Sequence, residues 1–358
     1  MTDYAALFHA YGPATDTPGH LAALAGDDPA ARDAALQHLW SAVIHQGTPW
    51  TATPPAAREV AALVDAPRLA GTELRANLLT FLAAVAEAAR STSDAELAAM
   101  AAPEGVDVDA AVAEALRTGD DEDLWTDAVG EAMYARAVLG CRDAVPTLLA
   151  ASVAALEDPE PVVRAAAAHA VTACGADVGE RLDALAATAG PDERAALVLS
   201  MGESGMAPRA YLADPHPGVR ACAALAPALA DDPAATAEIL AALRDPAATD
   251  EWFGTRLPQL RTRIRFSLVA AAIERVDDPR RLLPAALALV PLASPYTVDR
   301  DWGLLLAALP DGGAARRRYL GALVERAELW DPRNGNAFLA FKKAGLPYDR
   351  EACRTLSA

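Results

Sequence analysis

The residues that could do chemistry in this chain are few and awkwardly spaced. The six histidines are scattered, and only His38 and His45, seven residues apart, could share one helix face. Two ligands on one face do not make a zinc site without a third, so no metal is expected. Cys141, Cys174, Cys222 and Cys353 stand more than thirty residues apart and form no CxxC pair. They read as small buried hydrophobes in a reducing compartment. No G-x-G-x-x-G, Walker A, H-E-x-x-H or G-x-S-x-G pattern occurs. Met201-Gly-Glu-Ser-Gly205 comes nearest to a nucleophile elbow, but no strand precedes it and its second Gly falls one residue early. No catalytic residue and no cofactor is expected.

Charged and aromatic residues offer more. Asp158 and Arg164, and again Asp214 and Arg220, sit six apart in similar phrases, with Arg194 in a shortened one. As an acid and an electrophile they could be catalytic; as a helix cap and a rung between repeats they are structural, and the structural reading is the stronger. Arg256, Arg261, Arg263 and Arg265 form one basic cluster and Arg316-Arg-Arg318 another. On a helix over 259–275, Arg261 and Arg265 share a face while Arg263 points elsewhere. A solvated or salt-bridged face is the simplest outcome, and a phosphate or carboxylate pocket is the functional alternative. Among Trp40, Trp50, Trp125, Trp252, Trp302 and Trp330, three (Trp50, Trp252, Trp330) fall in or beside expected turns. Exposed Trp flanked by charge suits a binding hot spot, while loop packing is the alternative for each.

The elements that must position these residues are helices. Ala accounts for 90 of the 358 residues and the aromatics for only 19. Ala is the best helix former and the usual strand formers are thin, so an all-α fold is expected. Asp158-Pro-Glu-Pro-Val-Val-Arg164-Ala-Ala and Asp214-Pro-His-Pro-Gly-Val-Arg220-Ala-Cys lie 56 residues apart, with Gly190-Pro191-Asp-Glu-Arg194 between them. Asp28-Pro29-Ala-Ala-Arg32 is a further relative. In each phrase Asp can cap a helix start and Pro fits the first helical position. The Arg, a turn in, can reach the Asp of a neighbouring unit. Ser93-Asp-Ala-Glu96 has the form of a capping box. Helix pairs repeating at this period bury their apolar faces only by stacking, which predicts seven to nine pairs in one elongated solenoid. Residues 1–250 form its acidic body and 251–358 a divergent helical cap. The acidic run Gly119-Asp-Asp-Glu-Asp123 is expected to be an exposed loop.

The D-P-x-P-x-V-R-x-A-A phrase resembles the HEAT repeat in its short bacterial form, as in phycobilisome-lyase-like proteins. The match is good over roughly 155–245, plausible over 20–90, and only architectural elsewhere. The segment His45-Gln-Gly-Thr48-Pro-Trp50-Thr-Ala-Thr53 also resembles a loop of the first helix pair in some bacterial HEAT-like proteins. The resemblance implies an armadillo-like right-handed superhelix whose groove binds other proteins. Bilin lyases and alkylpurine DNA glycosylases on the same scaffold imply that catalysis is possible there, with an Arg- and Trp-lined pocket as the enzyme alternative.

Charge weighs between these. Residues 1–250 carry 14 Arg and 37 Asp plus Glu, net −23, whereas 251–358 are net +5. So acidic a body is poorly suited to phosphate backbones. A protein-binding scaffold or inhibitor for a basic protein or segment is therefore expected, with no nucleic acid as partner. The N-terminus shows no basic, apolar leader, and the longest apolar run, Leu282–Ala293, is broken by Pro284 and Pro291. A cytoplasmic protein without a membrane partner is expected.

Overall fold

A computed structural model describes every residue except 1, 91, 120–123 and 125–127. The expected acidic loop therefore lies almost wholly outside the described residues, and so does Trp125. Among the described residues the chain is mainly helical, and strands are confined to two antiparallel hairpins, Phe8–His9 with Gly12–Pro13 and Ile44–His45 with Thr48–Pro49. Two compact units divide it, Met1–Val178 and Gly179–Ala358.

The first unit holds α1 (Thr17–Ala25), α2 (Pro29–His38), α3 (Thr53–Val64), α4 (Glu73–Ala88), α5 (Asp94–Ala101), α6 (Val108–Thr118), α7 (Ala128–Ala155) and α8 (Pro161–Ala173). α3 packs on α7 and α4 packs on α8, so one helix pair lies directly against the next. α5 and α6 are inserted between these pairs, and both pack on α7. Two extra helices thus separate the α3–α4 pair from the α7–α8 pair along the chain. α7 is long and apolar enough to cross a membrane by length and composition, but it packs against α3, α4, α5 and α8.

The second unit holds α9 (Gly179–Ala186), α10 (Pro191–Glu203), α11 (Pro217–Ala224), α12 (Pro233–Ala242), α13 (Pro246–Asp250), α14 (Ile264–Arg275), α15 (Leu283–Leu289), α16 (Trp302–Ala308), α17 (Ala314–Val324), α18 (Gly335–Lys343) and α19 (Arg350–Ser357). From α12 onward, neighbours alternate. α12, α14, α16 and α18 pack in succession, and so do α13, α15, α17 and α19. The short repeat is possible because the partner of α11 shrinks to a 3-10 turn at Arg209–Ala213.

Two local expectations change. In Asp28-Pro29, Asp232-Pro233 and Asp245-Pro246 the Asp is the N-cap and the Pro opens the helix. In the D-P-x-P phrases the helix starts at the second proline, Pro161 or Pro217. The residue before a proline avoids helical backbone, so Glu160 and His216 stay extended and become the N-caps. Asp158 and Asp214 stand two residues outside and accept the N–H of Glu160 at 2.9 Å and of His216 at 2.8 Å. Second, the helix expected over 259–275 begins only at Ile264. Arg261 and Arg263 therefore precede it and share no helix face with Arg265.

Candidate functional site

The repeat-phrase residues are bound up in packing. Asp158, which is 4% exposed, is held at 2.5 Å by Arg75 and at 3.1 Å by the Gly71 N–H. Its neighbour Arg164 instead donates to the backbone carbonyls of Asp158 and Pro159, both at 2.8 Å. Arg194 reaches from α10 to Asp214 at 2.9 Å, a rung between successive phrases. Arg220 bonds Glu238 of α12 at 3.0 Å and its own Asp214 carbonyl at 3.0 Å. Asp158, Arg194, Asp214 and Arg220 each join one helix start to another element, and Arg164 braces the turn before its own helix, which are structural duties.

The three tryptophans are half-buried. Trp330 stacks on Tyr348, meets Phe341 edge-on and donates to the Leu323 carbonyl, so it belongs to the packing of the last helices. Trp252 lies just after α13. Trp50 follows the second hairpin, where Gln46 and Gly47 both take positive φ to close the turn. Its N–H is held at 2.8 Å by Thr53 Oγ1. With Pro49, Gly130, Met133 and Tyr134 it lines a cavity of about 170 Å³. Arg265 and Arg261 part company: Arg265 is 4% exposed and pairs with Asp250 and Asp301, whereas Arg261 is exposed at the mouth of a larger cavity.

A cluster missed in sequence assembles four of the six histidines. His9 comes from the first hairpin, Asp16, Thr17 and His20 from the start of α1, and His38 from the end of α2. His9 Nε2 and Asp16 Oδ1 are 2.9 Å apart, and His38 Nδ1 lies 3.8 Å from Asp16 Oδ2. His20 stacks on His38 with ring centres 4.2 Å apart, and Tyr11 bridges His9 and His45 edge-on. A π-helical turn at Leu39–Val43 follows His38 directly, and such turns gather at functional sites.

Three chemistries can be tested on this geometry. A metal could sit among His9, Asp16 and His38, whose ligand atoms lie within 4.8 Å of one another. However, His9 Nδ1 accepts the Tyr11 N–H at 3.1 Å, which places the neutral ring's proton on Nε2, the atom a metal would need. His38 Nε2 is 2.9 Å from Thr17 Oγ1, the beginning of a Thr–His–Asp relay. Thr17 is fully buried, so no substrate reaches that hydroxyl. What remains is a proton-sensitive latch. Burial, then His20, lowers the His38 pKa to about 4 against the pull of Asp16. For Asp16, burial alone would raise the carboxyl, but the hydrogen bond with His9 and the charges of His38 and His9 bring it below its ordinary value. Only a fold that brings residue 9 beside 38 reveals the cluster, and the His38–His45 spacing pointed to the wrong partner.

Electrostatics separate the two units. Met1–Val178 holds 26 Asp plus Glu against nine Arg, net −17, while Gly179–Ala358 holds 23 acids against 22 bases, net −1. Among the described acids of the first unit, Asp158 alone is buried. No family model, curated protein or solved structure matches the chain.

Proposed function

We propose that the chain is a non-catalytic, HEAT-like binding module whose first unit takes a basic protein or a Lys/Arg-rich segment. One observation carries this reading: 17 of the 18 excess negative charges fall in Met1–Val178, and its described carboxylates, Asp158 aside, face water. Such a field steers cations and repels phosphate backbones. The pair-on-pair packing of α3–α4 with α7–α8 supports the solenoid form. The Trp50–Tyr134 cavity, about 170 Å³, suits a lysine or arginine side chain laid against aromatic rings.

The protein retained by the tagged chain in its own cells should be basic. Its association rate should fall steeply between 0.05 and 0.5 M salt, and Trp50→Ala should speed dissociation about tenfold, near 1.4 kcal/mol. Duplex DNA should not compete. Tight duplex binding at 0.1 M salt would overturn the proposal and favour an enzyme of the DNA-glycosylase kind.

A further inference from the structure

Between α13 and α14 the chain runs irregularly and encloses a cavity of about 470 Å³, a size that holds small organic ligands. Three guanidiniums line it, from Arg256, Arg261 and Arg263, against the single carboxylate of Asp250. The first turn of α14 opens onto the same space through Arg263 and Ile264, and no side chain caps it. An uncapped helix start beside clustered guanidiniums favours an oxyanion. Phe253, Leu257, Leu260 and Phe266 supply apolar wall.

An independent feature lies in the lining. The Asp250 side chain is 2% exposed, and its Oδ2 takes Arg263 at 3.3 Å together with Arg265. Its Oδ1 is buried and accepts no hydrogen bond. With almost no surface of its own to offer, Asp250 serves to hold Arg263 at the cavity. Arg265 is engaged by Asp250 and Asp301, so it fixes the position of Asp250, while Arg256 donates to the Arg261 carbonyl at 3.1 Å and ties the two exposed arginines together.

We propose that this cavity binds a small organic anion: a carboxylate or phosphate ester on an apolar or aromatic body. The oxyanion meets Arg256 and Arg261 near the start of α14, and the body lies on the Phe and Leu wall. The enclosing unit is net −1, so the positive charge is local to the cavity and gives no broad field for a nucleic-acid backbone.

Calorimetric titration of the full chain tests this. Guanosine 5′-monophosphate and 4-hydroxybenzoate serve as the phosphate and carboxylate arms, with guanosine and phenol as their uncharged counterparts. At least one anion should bind saturably, roughly tenfold or more tighter than its counterpart. Arg256→Ala and Arg261→Ala, both at exposed positions, should each cost about tenfold in affinity while leaving the melting temperature unchanged. Failure of both anions to saturate, or unchanged affinity in both variants, overturns the proposal. Inorganic phosphate binding as tightly as either organic anion overturns the assigned role of the apolar wall, and displacement by duplex DNA overturns the ligand class. None of these outcomes depends on the acidic first unit, so this inference stands or falls apart from the proposed function.

Discussion

Several arginines in this chain serve the free carbonyls at helix ends. Arg275 donates to the carbonyls of Ala224, Leu225 and Ala226, closing α11. Arg142 does the same for Ala89 and Thr92 after α4, Arg194 for Ala186 and Ala189 at the end of α9, and Arg350 for Val324 at the end of α17. A helix leaves its last carbonyls without partners, and the guanidinium's fork of donors can satisfy two or three at once where an ammonium cannot hold that geometry. The near-absence of lysine, confined to Lys342 and Lys343, therefore has a structural use. Histidine provides the pH-sensitive counterpart. His38 is folded with a pKa near 4, lowered from 6.5 by burial first and then by His20, so the unfolded chain binds its proton more readily. Its contribution is fully present above pH 6.5 and is lost as pH falls toward 4, on the order of 3 kcal/mol in total. The lowered Asp16 carboxyl loses its contribution in the same direction at lower pH. Urea midpoints measured from pH 8 to 4 should be flat above about 6.5 and fall below it, and His38→Gln should flatten that fall. An unchanged slope in the variant would remove His38 from the account.

At the scale of elements, sequence was most informative where a local rule acts alone. The Asp28-Pro29 cap and the Ser93–Glu96 capping box are both present. It was least informative where a distant residue decides. Asp158 looks like a cap from its own phrase, yet the residues that hold it, Gly71 and Arg75, are more than eighty positions away. The false helical turn at 259–263 arose because Arg-rich sequence suits a helix, while Gln259 is instead drawn to the Ala196 carbonyl and Ser200 Oγ of α10. The same division sorts the aspartates by cost. Asp28 caps α2 with one bond to the Ala30 N–H at an exposed site, so Asp28→Ala should cost about 1 kcal/mol. Asp214 supports the turn before α11 and anchors Arg194 of α10, with its side chain 7% exposed. Asp214→Ala should cost about 3 kcal/mol or more, because a partly buried guanidinium is left unpaired. Equal losses in the two variants, measured by urea titration, would show that Arg194 finds another partner and that the rung is dispensable.

The whole molecule carries its charge unevenly, and that has a consequence for stability as well as for binding. Nine arginines cannot offset 26 acids in Met1–Val178, and several are already tied to carboxylates or carbonyls, among them Arg32, Arg75, Arg136 and Arg142. The exposed pairs among these, those of Arg32, Arg136 and Arg142, contribute little each. The remaining carboxylates repel one another across a surface where the Debye length is ~10 Å at 0.1 M salt and ~3 Å at 1 M. Folding brings them closer than the open chain does, so screening should relieve the folded state more than the unfolded one. Urea midpoints, with urea chosen because guanidinium is itself a salt, should therefore rise as sodium chloride goes from 0.05 to 0.5 M at pH 7. The same change should slow capture of a basic partner, so stability and association rate move in opposite directions along one axis. Self-repulsion and steering have a common origin in the same carboxylates, and neutralising a group of exposed ones, such as Asp33, Asp65 and Asp143 to Asn, should weaken both responses together. If stability instead falls with salt, attractive pairs outweigh the acidic excess, and the field on which the basic-partner proposal rests is too weak to carry it.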